Sequence, residues 1–230
     1  MRIMKKIAVA AAAAIMVMAL VSCGTSSNNS KNSTNSTSKS GKNTEKAANS
    51  QSGKAKNKSG TILVVYFSRT GENYGVGNIK KGNTAIVADM IADQTGADTF
   101  EIVPVKAYPT DYDKTTEQAK KEQDDKARPE YKGDVKDWKK YDTVFVGYPI
   151  WYGDMPMIVY TFLEKHDWNG KTVIPFDTHA GSGLADTESN LSKTTGVKVQ
   201  SGLAITGEDA QNSQDSVKSD VSKWLKELGY

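Results

Sequence analysis

Cysteine and histidine are almost absent. The 230 residues contain one Cys, Cys23, and two His, His166 and His179. A single thiol excludes an internal disulfide and any thiolate-built zinc or iron–sulfur site within one chain, and two imidazoles alone make a poor metal site. Apolar residues are also scarce, at 37%. That is low for one globule of this length and indicates that part of the chain stays outside any core. Acid is missing from one region. Residues 1–59 hold 10 Lys and Arg against the single acid Glu45, whereas residues 60–230 hold 20 basic and 26 acidic side chains. The overall charge of +3 thus combines a basic leader with an acidic remainder. An acidic folded part lacks the electrostatic footprint of DNA or RNA binding, so no nucleic acid partner is expected.

No apolar run reaches the roughly 20 residues that a comfortable membrane span needs. The longest, Ile7–Val21, follows the basic start Met1–Lys6 and precedes Ser22 and Cys23. A basic start, a short apolar stretch and a small residue before the cut have the form of a secretory signal. Leu20-Val21-Ser22-Cys23 also resembles the lipobox of bacterial lipoproteins. The resemblance implies that residues 1–22 are removed, that Cys23 is lipidated, and that the protein is anchored extracytoplasmically to the cell membrane. More than one acyl chain makes such anchoring stable. Residues 24–59 contain ten Ser, seven Asn, seven Lys and four Thr, with no aromatic residue. Such a composition cannot offset the entropy cost of ordering, so residues 23–59 are expected to form a disordered stalk. At about 5.5 Å × √n its typical span is roughly 33 Å.

Strand and helix periods begin at Gly60. Thr61–Phe67, Thr143–Tyr148 and Thr172–Phe176 are continuous β-branched and aromatic runs, the pattern of strands buried on both faces. Thr99–Val103 alternates and ends at Pro104, and Val197–Ile205 reads as a last strand. Helical spacing covers 85–95, 114–125, 157–166, 184–191 and 213–228. Strands alternating with helices imply parallel pairing through right-handed crossovers, hence one doubly wound α/β domain over residues 60–230. Ligands bind such sheets beyond the carboxyl ends of the strands, where strand order reverses.

Three segments follow the buried strands. Ser68-Arg69-Thr70-Gly71, then Gly82-Asn83-Thr84 at a helix start, supply hydroxyls and backbone N–H groups for an anion. The same residues also fit an ordinary capping turn. No Gly-Lys-Ser/Thr closes a Walker loop, and Gly75-Val76-Gly77 lacks the third glycine of the dinucleotide fingerprint. Pro149-Ile150-Trp151-Tyr152-Gly153 places two large aromatics in a loop, to cover a flat ligand or to pack on the domain itself. Asp177-Thr178-His179-Ala180-Gly181-Ser182-Gly183 lets backbone approach a ligand. With Ala180 in place of glycine the hydrolase elbow Gly-x-Ser-x-Gly is absent, and no residue must act as a general acid or base.

In order and position these three segments resemble the FMN loops of flavodoxins. The resemblance covers residues 61–230 and implies a three-layer α-β-α fold with a five-stranded parallel sheet in the order 2-1-3-4-5. It implies that Ser68, Arg69, Thr70, Gly71, Asn83 and Thr84 surround the FMN phosphate. Pro149, Ile150, Trp151, Tyr152 and Gly153 would line the ring, with Trp151 stacked on it. Thr178, His179, Gly181, Ser182 and Gly183 would flank its other side. One departure is Glu72–Lys81, which interrupts the step from Thr-Gly to Asn-Thr. Assigning Asn83 and Thr84 to the phosphate requires that insertion to loop out; otherwise Glu72-Asn73 takes those contacts. The implied function is electron transfer, with redox proteins or small acceptors as partners. An FMN-dependent NAD(P)H:quinone oxidoreductase and an FMN-free surface binding module are the alternatives.

Overall fold

Thr61–Tyr66 forms β1, and its middle residues Leu63, Val64 and Val65 are completely enclosed, as the unbroken apolar run requires. The computed structural model describes residues 61–230; the expected signal sequence, the expected lipidation at Cys23 and the expected stalk over residues 23–59 lie outside the described residues. Four further strands complete the main sheet: β4 (Asp98–Glu101), β5 (Tyr141–Pro149), β6 (Thr172–His179) and β7 (Leu203–Thr206). A two-stranded hairpin, β2 (Gly71–Asn73) and β3 (Gly77–Ile79), stands apart from it.

All pairings in the main sheet are parallel, in the order β4-β1-β5-β6-β7. Numbered within that sheet, this is 2-1-3-4-5, the order expected. The crossovers are α1 (Asn83–Thr95), α2 (Tyr112–Asp124), α3 (Met157–Lys165) and α4 (Thr187–Thr195), followed by α5 (Gly207–Asn212) and α6 (Gln214–Leu228). Val64, Phe145, Ile174 and Phe176 pack with Val87 and Ile91 of α1 and Val217, Val221 and Leu225 of α6. Leu63, Val65, Val144, Val146 and Tyr148 pack on the other face with Ile158, Phe162 and Leu163 of α3 and Leu191 of α4. Alternate residues of each central strand thus enter opposite cores. Each large side chain so enclosed contributes about 1.5–3 kcal/mol of apolar burial.

Several boundaries differ from the sequence reading, four of them near the site or at the sheet edge. The insertion Glu72–Lys81 forms much of the hairpin rather than an irregular loop. The last strand starts at Leu203, not Val197; upstream only Val199 makes an isolated bridge, to Val173. The fourth helix starts at Thr187 rather than Leu184, after Ala185 takes φ +48°. β6 runs three residues beyond Phe176, so Asp177, Thr178 and His179 close a strand instead of opening a loop.

Candidate functional site

Strand order reverses between β1 and β5, and the segments leaving β1, β5 and β6 meet beyond that point. After Phe67 the chain turns across the first turn of α1. Ser68 Oγ accepts the N–H of Ala85 at 3.1 Å, capping a helix whose own N-cap residue, Gly82, has no side chain to offer. Gly82 must be glycine. A Cβ there would overlap Ser68 Oγ and lie 2.7 Å from the Arg69 carbonyl. The amides of Asn83 and Thr84, in the first turn, have no carbonyl within the helix to reach. Asn83 Oδ1 accepts from Gln211 at 2.7 Å, and the missing Cβ of Gly207 makes room for its amide group. The arrangement is a polar end built of neutral donors at a helix N-terminus, which favours an anion.

Arg69 does not reach this end as a free cation. Its guanidinium donates to the carbonyls of Glu72, Thr70 and Pro109, the last at 2.9 Å. Burial pulls its pKa below the usual arginine value, against an opposing pull from Glu72. Thr84 is enclosed, and its hydroxyl pairs with that of Thr178 at 2.8 Å, joining α1 to β6. What Thr84 can offer an anion is therefore its backbone amide. His179 Nδ1 accepts the Gly181 N–H at 2.9 Å, which leaves the ring proton on Nε2. Burial lowers its pKa, with Asp209 opposing.

The other end is aromatic. Trp151 and Asp154 exchange backbone hydrogen bonds of 2.9 and 3.1 Å around a two-residue turn. Its central residues Tyr152 and Gly153 have φ of +50° and +75°, the signs a type I′ turn demands. The Asp154 carboxylate fixes that turn by accepting from Met155 N–H, Tyr160 O–H and Asn190. Trp151 meets Phe67 and Tyr108 edge to face, at centroid distances of 5.4 and 5.1 Å. Tyr152 reaches across to α2, its hydroxyl donating to the Thr116 carbonyl at 3.0 Å. Tyr148 is wholly buried and takes no part in the loop.

Both ends open into one cavity of about 320 Å³, within the range of small-molecule sites. Of the residues expected to hold a cofactor, Arg69, Asn83, Pro149, Ile150, Trp151, Tyr152, Thr178 and His179 line it. Ser68, Thr70, Gly71, Thr84, Gly153, Gly181, Ser182 and Gly183 do not. Gly71 is instead pressed against Thr110, where a Cβ would lie 2.8 Å from a carbonyl oxygen. The sequence reading missed Tyr74 and Tyr112, as well as Thr115, Thr116, Ala119 and Gly207. A lone tyrosine in a glycine-rich insertion was a signal for the first. The α2 residues carry none, because on their own they read as a plain polar helix.

A sequence profile of the flavodoxin family matches residues 61–228. The chain belongs to the flavodoxin family. Among solved structures, a protein provisionally named a flavoprotein from Bacteroides uniformis is 31% identical, with a TM-score of 0.58 over 73% of this chain and 98% of its own. A similarly named protein from Bacteroides eggerthii is 30% identical, with a TM-score of 0.57 over 71% of this chain and 96% of its own. A Lactobacillus acidophilus flavoprotein in complex with FMN is 25% identical, with a TM-score of 0.53 over 72% of this chain and 99% of its own. No curated protein is significantly similar. The flavodoxin fold accounts for the strand order, and the cavity lies at the switch point that the fold provides.

Proposed function

We propose that the protein binds FMN in this cavity and transfers electrons as a lipid-anchored flavoprotein outside the cell membrane. One observation carries the cofactor assignment. A single cavity joins a neutral-donor anion end, at the start of α1, to an aromatic end at Trp151. FMN has that layout, a phosphate at one end and a flat ring at the other, and a relative of this chain is complexed with it. The residues fit the group. The first-turn backbone amide of Asn83, which lines the cavity, would hold the phosphate, and Trp151, Pro149 and Ile150 would bound the ring. The bound flavin supplies the redox chemistry, one or two electrons at a time. The chain's part is to orient it, exclude water and set its potential. The net acidity of residues 60–230 and aromatic stacking would both lower that potential.

Membrane attachment rests on Leu20-Val21-Ser22-Cys23 and on the polar stalk after it. Residues 1–22 would be cleaved, and residues 23–59 would join the lipid to the domain beginning at residue 60. Titrating the purified protein with FMN tests the cofactor: one equivalent should quench flavin fluorescence, and unquenched fluorescence would refute binding. Fractionating cells that express Cys23→Ser tests the anchor. The variant should leave the membrane fraction, and its retention there would refute lipidation.

A further inference from the structure

The inserted hairpin gives the cavity a residue that no flavodoxin loop accounts for. Tyr74, beside Gly75 at the β2–β3 turn, is 67% exposed, the most of any large hydrophobic residue among the described residues. An exposed phenol forfeits apolar burial unless something flat covers it. Its ring lies 6.2 Å from that of Tyr112, tilted by 43°, and both line the cavity that Trp151 lines. The hairpin is also fixed in place. Glu72 N–H donates to the Thr110 carbonyl at 2.8 Å, Tyr112 N–H donates to Glu72 Oε2 at 3.2 Å, and Arg69 ties the strand to Pro109. Tyr74 is therefore held over the cleft by its own strand's anchors.

The loop after β6 was expected to flank the second side of a bound ring. Of that loop only Ala180, which has no ring, lines the cavity, and Gly181, Ser182 and Gly183 do not. The aromatic surface missing there is present on the hairpin. Thr115 and Ala119, which line the same cavity, are uncharged and suit a neutral ring. Resting on the FMN reading above, we propose that Tyr74, backed by Tyr112, is the second aromatic wall of the flavin ring site. The insertion Glu72–Lys81 is then a cofactor-binding element, and it recognises the ring independently of the phosphate.

The full-length protein carrying Tyr74→Ala, Tyr74→Leu or Tyr74→Phe is titrated with FMN and with riboflavin, which shares the ring and lacks the phosphate. Flavin fluorescence gives affinity and residual emission; circular dichroism and the thermal midpoint confirm the fold. The Ala and Leu variants should bind both ligands about tenfold more weakly, by the same factor, and quench them less. The Phe variant should stay within about twofold of wild type. Wild-type affinity for both ligands in the Ala and Leu variants overturns the proposal and leaves FMN binding standing. A loss confined to FMN overturns it too, because Tyr74 would then act at the phosphate end. So does a wild-type protein that holds FMN but not riboflavin. A wild-type protein that binds neither ligand defeats this inference together with the FMN reading.

Discussion

Asp177 of β6 stands beside Tyr148 of β5 in the parallel register, and both residues are completely buried. Neither Asp177 carboxyl oxygen has a hydrogen-bond partner among the described residues. Burial, reinforced by the charge of Glu188, pushes the Asp177 pKa up to about 8. The carboxyl is therefore largely protonated in the fold at neutral pH, one residue before the Thr178 that lines the cavity.

A raised folded-state pKa means that the unfolded chain releases this proton more readily than the folded one. Stability from the protonated group is complete below the unfolded value of about 3.9 and is lost as pH rises through about 8. Asp177→Asn removes that dependence. Between pH 5 and pH 9, urea unfolding of wild type should lose about 4 kcal/mol more than the variant does. Parallel pH profiles would show that Asp177 is not the titrating group. Comparing slopes, rather than absolute stabilities, cancels the cost of burying the new amide.

Trp151→Ala should weaken FMN binding by about 1–3 kcal/mol. The same substitution strips the edge-to-face contacts to Phe67 and Tyr108, so the apo protein should also melt earlier. Trp151→Phe keeps an aromatic face and should restore most of the affinity. Fluorescence titration separates the two effects, and unchanged FMN affinity in the Ala variant would remove Trp151 from the ring site.

Arg69 bridges four carbonyls, those of Thr70, Glu72, Pro109 and Thr110, from two segments with one planar fork. A lysine ammonium cannot span the same carbonyls. Arg69→Lys should therefore loosen the hairpin, costing about 1–2 kcal/mol in stability. The sharper readout is hydrogen exchange at the Glu72 amide, which donates to Thr110. Its protection should fall, while that of the β5 amides should not.

The sheet was legible because its three central strands are dense in β-branched residues and can belong only to a doubly buried position. The hairpin was not. Gly71-Glu72-Asn73 and Gly77-Asn78-Ile79 contain almost no strand formers, and they pair only because Arg69 and Thr110 anchor one side. Val197 and Val199 alternate like strand residues, yet the full ladder with β6 begins only at Leu203. The short helix α5 was missed although Thr206 caps it by accepting the Asp209 N–H at 3.0 Å. In the site, Asn83 and Trp151 could be found from local patterns, a helix start and an aromatic loop. Thr115, Thr116 and Ala119 could not, because only tertiary packing brings α2 against the loop after β5.

A crystal structure of the protein grown with FMN tests the central claim most directly. The account predicts one flavin per chain, its phosphate at the amide of Asn83 and its ring against Trp151. Flavin density at any other place on the domain, or a cavity without flavin at saturating concentration, would contradict it.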